Sequence, residues 1–371
     1  MINNHHRMIS PPLIIHRSSF IICLALCLSV SVASALRGQI ETVDSAAPPQ
    51  FHWVSQGQVE GHLALNYSPA GAFSLDSTAL AVVMEDKIVL MDLRAGGIRK
   101  TLRPRVEGVG DLTIHSASFV APNQLFILGN GVFRTKGKGP APPTPSIAFL
   151  WEPDQDALSG KVNTIGATGG FGPPRFFPMI AYVGIYRETH FDLWHPLTGK
   201  GGRVTIPSLT RQPNLYEFSP NGHWLLLAQI EGSGAADPIV VDLRQGKFVD
   251  SLRGHQGTIL SMAFSRDNQR VVTAGEDGKV RVWSVPDWKL LHTLSGHNGT
   301  VRWAEFSADG RWIVSGGQDH TVRVWSTDNG APLQTLTEGQ EPIRTVAFSP
   351  NGEFLAASAE QMVWVWKVLK Q

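Results

Sequence analysis

Polar and apolar residues alternate along residues 279–284 (KVRVWS) and again along 322–326 (VRVWS). Val280 and Val282 should face one way and Arg281 and Trp283 the other. Period-two alternation in stretches rich in Val, Thr and Trp predicts half-buried β-strands. The runs are parted by Asn221-Gly222, Asp277-Gly278, Asp309-Gly310, Asn329-Gly330 and Asn351-Gly352. Such pairs reach positive φ easily and close tight hairpins. The whole pattern recurs. Gly254-His255 returns as Gly296-His297, Phe264 as Phe306 and Phe348, and Trp283 as Trp325, each a step of 42 residues. A fixed period of this length marks a repeat architecture. The clearest copy should hold four short strands, at 259–264, 270–275, 279–284 and 289–294. One such meander cannot bury both of its faces, whereas copies stacked around an axis cover one another.

Gly-His, then Phe-Ser-x-Asp-Gly, then an Asp six residues before a Trp, resembles the WD-repeat β-propeller family. The resemblance is most specific over 253–326, good over 337–371 and faint over 61–252. It implies a structural tetrad in each copy: His255, Thr273, Asp277 and Trp283, then His297, Ser315, Asp319 and Trp325. A chain of four such groups satisfies a buried indole N–H and a buried carboxylate together. Because the set recurs with every repeat, it is read as structural and not as a catalytic Ser-His-Asp set. Partners of this family often dock where the innermost strands begin. The matching positions are Thr258, Leu260 and Glu276; Thr300, Arg302 and Gln318; and Pro342 and Arg344. Arg302 and Arg344 would project together from adjacent blades as candidate carboxylate binders.

Fainter copies precede the clear ones. Phe73, Phe119, Phe177 and Phe218 mark four more, with Met91-Asp92, Trp151, Trp194 and Val241-Asp242 where the Trp stands elsewhere. Gly96, Gly199, Gly246 and Gly330 follow as the turn into a fourth strand requires. That makes seven copies, the last of which stops at Gln371 after its third strand and has lost its His and its loop Asp. Residues 51–60, which precede the first copy, are expected to supply the missing outer strand. The expected fold is all-β: a seven-bladed β-propeller of four-stranded antiparallel blades over residues 51–371, its ring closed by the N-terminal strand so that no edge is left open.

Composition adds a compartment. Arg7 and Arg17 precede an apolar run from Phe20 to Val32, followed by Ala33-Ser34-Ala35. This is the three-part form of a secretory signal over residues 1–35, with 36–50 as a polar linker. Secretion or a periplasmic location is expected, with an uncleaved membrane anchor as the alternative. Cys23 and Cys27 both lie inside that segment, so the mature chain would have no disulfide. Net charge is +1, and about −1 once the two arginines leave, which gives no electrostatic case for nucleic acid.

Catalytic motifs are absent from the sequence. It contains no G-x-S-x-G, no P-loop, no H-E-x-x-H and no Cys-based metal site. GATGGFG at 166–172 precedes Pro173-Pro174 and reads as a loop, and Asp154 and Asp156 as a turn. Arg134, Lys136 and Lys138 make a small basic loop within an insertion at 131–147. Asn298-Gly299-Thr300 is an N-glycosylation acceptor if the host glycosylates. The first reading is a non-catalytic protein–protein interaction platform: a monomeric propeller without cofactor or metal whose partners are other proteins. The alternative is a propeller enzyme or small-ligand binder using the axial funnel. A third is an envelope subunit retained by its N-terminus.

Overall fold

The computed structural model describes residues 50–53, 59–60, 72–84, 86–133, 146–165, 175–177, 182–187, 190–194, 201–205, 213, 215–228, 230–231, 234–235, 237–337 and 339–369. The signal segment, nearly all of the linker, Gly61-His62, GATGGFG, Gly199 and the basic loop of the insertion lie outside the described residues.

The described strands pair into seven antiparallel sheets and one small hairpin. The first holds Ala79–Met84, Lys87–Asp92 and Gly97–Leu102, with Phe73 bridging to Leu80. The second holds Val109–Ala121, Gln124–Phe133, Ser146–Glu152 and Ala157–Ile165. The third holds Arg175–Phe177, Tyr182–Arg187, His190–Trp194 and Gly201–Thr205. The fourth holds Leu215–Phe218, Trp224–Ala228, Ile239–Asp242 and Lys247–Ser251, and carries the hairpin Ile230–Glu231 with Gly234–Ala235. The fifth holds Ile259–Phe264, Arg270–Gly275, Lys279–Ser284 and Leu290–Ser295. The sixth holds Val301–Phe306, Trp312–Gly317, Val322–Ser326 and Pro332–Leu336. The seventh joins Thr345–Phe348, Phe354–Ser358 and Met362–Leu369 to the N-terminal Gln50–Trp53, which pairs Trp53 with Trp366, and to Val59–Glu60.

The half-buried expectation is corrected. In Lys279–Ser284 the four central residues are all buried, and in Trp224–Ala228 all five are. The reason is packing between sheets. Separate apolar clusters join the first sheet to the second, the third to the fourth, the fourth to the fifth, the fifth to the sixth and the sixth to the seventh. A further cluster joins Phe73, Leu80, Val82 and Met91 of the first sheet to Phe354, Ala356, Val363 and Val365 of the last. In the first, fourth, fifth, sixth and seventh sheets the interior strands are covered by a neighbouring sheet on both faces, so alternation in the sequence understates their burial. Outer strands stay exposed, with Ile98, Leu158, Phe248 and Leu290 each standing opposite the Trp position of its sheet. A register shift interrupts the pairing immediately before that position in three of these sheets and at Phe149, two residues before Trp151, in the second, which kinks an otherwise open edge.

Phe-Ser-x-Asp/Asn-Gly is explained by one recurring turn. Ser307 Oγ donates to Asp309 Oδ1 at 2.6 Å and accepts from Trp312 N–H at 3.0 Å, and Gly310 takes φ +72°. Ser219 and Ser349 build the same turn around Gly222 and Gly352. In two copies the left-handed position is not glycine: Ser77 has φ +56° and Asn268 φ +61°. Both side chains reach the preceding sheet. Asn268 Oδ1 accepts from Asn221 N–H at 2.9 Å, and Ser77 Oγ accepts from Asn351 N–H at 3.1 Å, tying the first repeat to the last. Ser77→Ala keeps the strained φ and loses the bond. It is expected to lower stability by about 1–2 kcal/mol in chemical denaturation, where Ser77→Gly should lose less.

Tight contacts between sheets leave little room for added atoms. A Cβ on Gly316 would collide with Ile343 and would lie 2.9 Å from Val346 Cγ1. Gly316→Ala should therefore destabilise by about 1–3 kcal/mol, read from the denaturation midpoint.

Candidate functional site

Two hydrogen-bonded chains run through the fifth and sixth sheets. Trp283 Nε1 donates to Thr273 Oγ1 at 2.9 Å, that hydroxyl lies 2.8 Å from His255 Nε2, and His255 Nδ1 lies 3.0 Å from Asp277 Oδ1. In the next repeat Trp325 Nε1 donates to Ser315 Oγ at 2.9 Å, Ser315 Oγ lies 2.7 Å from His297 Nε2, and His297 Nδ1 lies 2.9 Å from Asp319 Oδ1. One proton arrangement satisfies every member. The indole donates to the hydroxyl, the hydroxyl to Nε2, and Nδ1–H to the carboxylate. Both hydroxyls are fully buried and already engaged by an indole, which suits a structural element and not a nucleophile. The structure brings His255, Thr273, Asp277 and Trp283 together in one sheet and His297, Ser315, Asp319 and Trp325 together in the next.

Burial and charge set the titration of these groups. Both imidazoles titrate below the usual 6.5 of histidine, chiefly because burial disfavours the charged ring, with the aspartates pulling the other way. Burial alone would raise the carboxyl of Asp277. Hydrogen bonds from Arg281, Gln256 N–H and His255 outweigh it and hold the group below its ordinary value. Asp319 is lowered in the same way by Asn298 N–H, His297 and Thr321. An unfolded chain takes up protons on these histidines below pH 6.5 that the folded chain refuses. Their contribution to stability should therefore fall as pH drops below 6.5. Glu305 shifts stability the opposite way over this range, so the check is thermal melting of Glu305→Gln from neutral to mildly acidic pH, and a flat profile for that variant would contradict it.

Arg281 is a member that the sequence did not reveal. Its Nη1 donates to Asp277 Oδ2 at 2.7 Å, and its side chain is 11% exposed. The matching Arg323 stays 3.9 Å from Asp319 and is 22% exposed.

Above these chains lie the proposed contact positions. Pairing of the first two strands slips at Leu260 in the fifth sheet and at Arg302 in the sixth, which leaves each as the unpaired residue of a bulge. A bulge at a strand start re-aims its side chain. Arg344 occupies the same register in the seventh sheet, its N–H donating to Ser358 O at 2.8 Å, while Ile343 N–H donates to Gly317 O at 3.0 Å. The sequence treats Arg302 and Arg344 as a pair, and the structure separates them. Arg344 is held by Glu360 at 3.0 Å. Arg302 has an enclosed Nε without a partner. Glu276 is exposed, and its carboxyl is lowered by the Thr258 N–H that it accepts at 2.9 Å. Gln318 is exposed; Thr258, Thr300 and Pro342 are half-buried.

Three stretches match the model of the WD domain, G-beta repeat, at residues 246–284, 288–326 and 330–367. Residues 246–367 thus carry three WD repeats. Similar curated proteins include the target of rapamycin complex subunit LST8 of Saccharomyces cerevisiae, 34% identical over 94 residues, which are 25% of this chain and 29% of that protein. The periodic tryptophan protein 2 homolog of Mus musculus is 27% identical over 100 residues, 27% of this chain and 10% of that one. Eukaryotic translation initiation factor 3 subunit I of Phaeosphaeria nodorum is 31% identical over 80 residues, 19% of this chain and 24% of its own. The WD-repeat match thus spans less than a third of the length of each of these relatives.

Besides Arg281, two further features were not legible in the sequence. Glu305 is buried on an inner strand, where the same position one repeat away holds Ala263 or Ala347. That break in an apolar column was the available signal. In the last WD repeat Gly339 replaces the tetrad His, and the ring of Trp364 lies where a Cβ on Gly339 would project, 2.7 Å away.

Proposed function

We propose that this chain is a non-catalytic platform for protein–protein interaction, built as a closed seven-bladed propeller and used through the end where its inner strands begin. The observation that carries the reading is a row at one register of three consecutive WD sheets: Leu260 and Arg302, each aimed by a bulge, and Arg344. Packing of the first sheet on the last supports a closed ring. Two of the similar proteins carry names that make them subunits of a complex or factor, which fits a protein partner here. Export across a membrane belongs to the same proposal and rests on residues 1–35 of the sequence.

Chemical crosslinking of the affinity-purified protein with its co-purifying partners tests this. Crosslinks should cluster at Thr258–Leu260, Thr300–Arg302, Gln318 and Pro342–Arg344. Arg302→Glu should abolish them at unchanged melting temperature. Crosslinks confined to the outer strands, or a partner indifferent to Arg302→Glu, would remove this face from consideration.

A further inference from the structure

The sequence contains five Asn-Gly pairs, at Asn130, Asn221, Asn298, Asn329 and Asn351. An Asn-Gly pair can close on itself when the glycine nitrogen reaches the side-chain carbonyl carbon of the asparagine. Four of the pairs are locked against this. Asn130 lies inside strand Gln124–Phe133, paired with Thr113 on one side and Ser146 on the other. At Asn221, Asn329 and Asn351 the side-chain Oδ1 accepts the N–H two residues on, from His223, Ala331 and Glu353. The attacking nitrogen is also engaged in each. Gly222 N–H donates to Ser219 O at 2.8 Å, Gly330 N–H to Ser326 O at 3.0 Å, and Gly352 N–H to Ser349 O at 2.9 Å.

Asn298 differs on every count. It is exposed, and its side-chain amide makes no hydrogen bond. Gly299 N–H has no acceptor, Gly299 has φ +117°, and the nearest atom to a Cβ built there is Gln318 Cβ at 3.9 Å. Electrophile, nucleophile and space are free together only here among the five pairs.

We infer that Asn298 is the site of spontaneous deamidation in this chain. The Gly299 nitrogen, once deprotonated by solvent base, attacks the Asn298 side-chain carbon. A C–N bond closes the five-membered imide, and the side-chain nitrogen takes a proton from water and leaves as ammonia. Water then opens either C–N bond of the imide, giving aspartate or isoaspartate. Asn298 N–H donates to Asp319 Oδ2 at 3.0 Å, so the new carboxylate arises beside an existing one and next to His297. In the iso form an extra methylene enters the main chain between His297 and Thr300. The charge also lands on the strand start that carries Arg302, so partner binding would change with protein age; this last consequence rests on the proposed function.

Incubation of the folded protein in mildly alkaline buffer, followed by peptide mass mapping and isoaspartyl methyltransferase labelling, tests the site without any partner. Conversion at Asn298 should run roughly tenfold or more ahead of the other four pairs. In denaturant that lead should vanish, because the fold creates it. Asn298→Gln should remove the early product. Equal rates in the folded protein, an early product at another pair, or the same ranking in denaturant would each overturn the inference. Because the readout is chemical, a failed interaction face leaves the result intact, and a failed modification leaves the face open to its own test.

Discussion

Asp277→Ala is expected to destabilise the protein by about 3–5 kcal/mol, the range for removing one partner of a buried ion pair. Four groups lose their acceptor at once. His255 Nδ1 is left without a carboxylate, Gln256 N–H and Lys279 N–H each lose a bond at 3.1 Å, and Arg281 keeps a charge with 11% of its side chain in water. Arg281 decides the size of the effect. In the sixth sheet Asp319 performs the same service for His297 and Asn298 N–H, but Arg323 sits 3.9 Å away and is twice as exposed. Asp319→Ala should therefore be the milder change, by about 1–2 kcal/mol. Urea denaturation of the two variants side by side checks the difference. Equal losses would mean that the histidine, and not the arginine, carries the penalty. The double variant Asp277→Ala/Arg281→Met should recover part of the loss, since it removes the stranded charge.

The local frame of this protein was legible because each signal is local. Asn-Gly and Asp-Gly turns and a 42-residue step place strands at 259–264, 270–275 and 279–284, and the structure has them there, with the fourth displaced by one residue to Leu290–Ser295. The tetrads were legible for the same reason, as fixed spacings from Gly-His to Trp. What could not be read depends on contacts that only the fold makes. Nothing around Arg281 says that it is buried, because the His255 ring that meets it lies 26 residues away in the chain. Nothing around Arg302 and Arg344 distinguishes them, because the difference lies in Glu360.

The last repeat shows the same dependence from the other side. The tetrad His becomes Gly339, the strand hydroxyl becomes Ala357, and the loop Asp is gone. In their place Trp364 turns its ring toward Gly339 and joins Ala357, Ala359 and Trp366 in an apolar cluster shared with the sixth sheet. Losing one member of a buried polar chain strands the others, so His, hydroxyl and Asp are lost together and a largely apolar filling replaces them, at the cost of a Trp364 Nε1 buried without a partner. The sequence records only the departures, and the filling that makes them tolerable emerges from packing.

Glu305→Gln is expected to stabilise the protein, increasingly so toward alkaline pH. The carboxyl is buried between the inner strands of the sixth and seventh sheets, and burial pushes it up to about 8. Phe348 N–H at 3.1 Å, the Trp303 indole at 3.4 Å and the charge of Arg266 favour the ionised form but do not offset burial, to which Glu217 adds. Above its ordinary value of 4.5 the unfolded chain releases this proton while the folded chain keeps it until about 8. The native state binds this proton across that window, so the contribution of Glu305 to stability falls as pH rises from 4.5 to 8 and then levels. The accumulated loss is on the order of a few kcal/mol. Glutamine keeps the shape and an oxygen for Phe348 N–H, and it has no proton to lose. Melting temperatures of parent and variant should converge near pH 4.5 and separate steadily up to pH 8. Glu305→Ala should destabilise at every pH, because it leaves a cavity and an unpaired Phe348 N–H. Parallel profiles for parent and Gln variant would show that Glu305 is ionised in the folded protein, and the inner strands would then have to be solvated at that point.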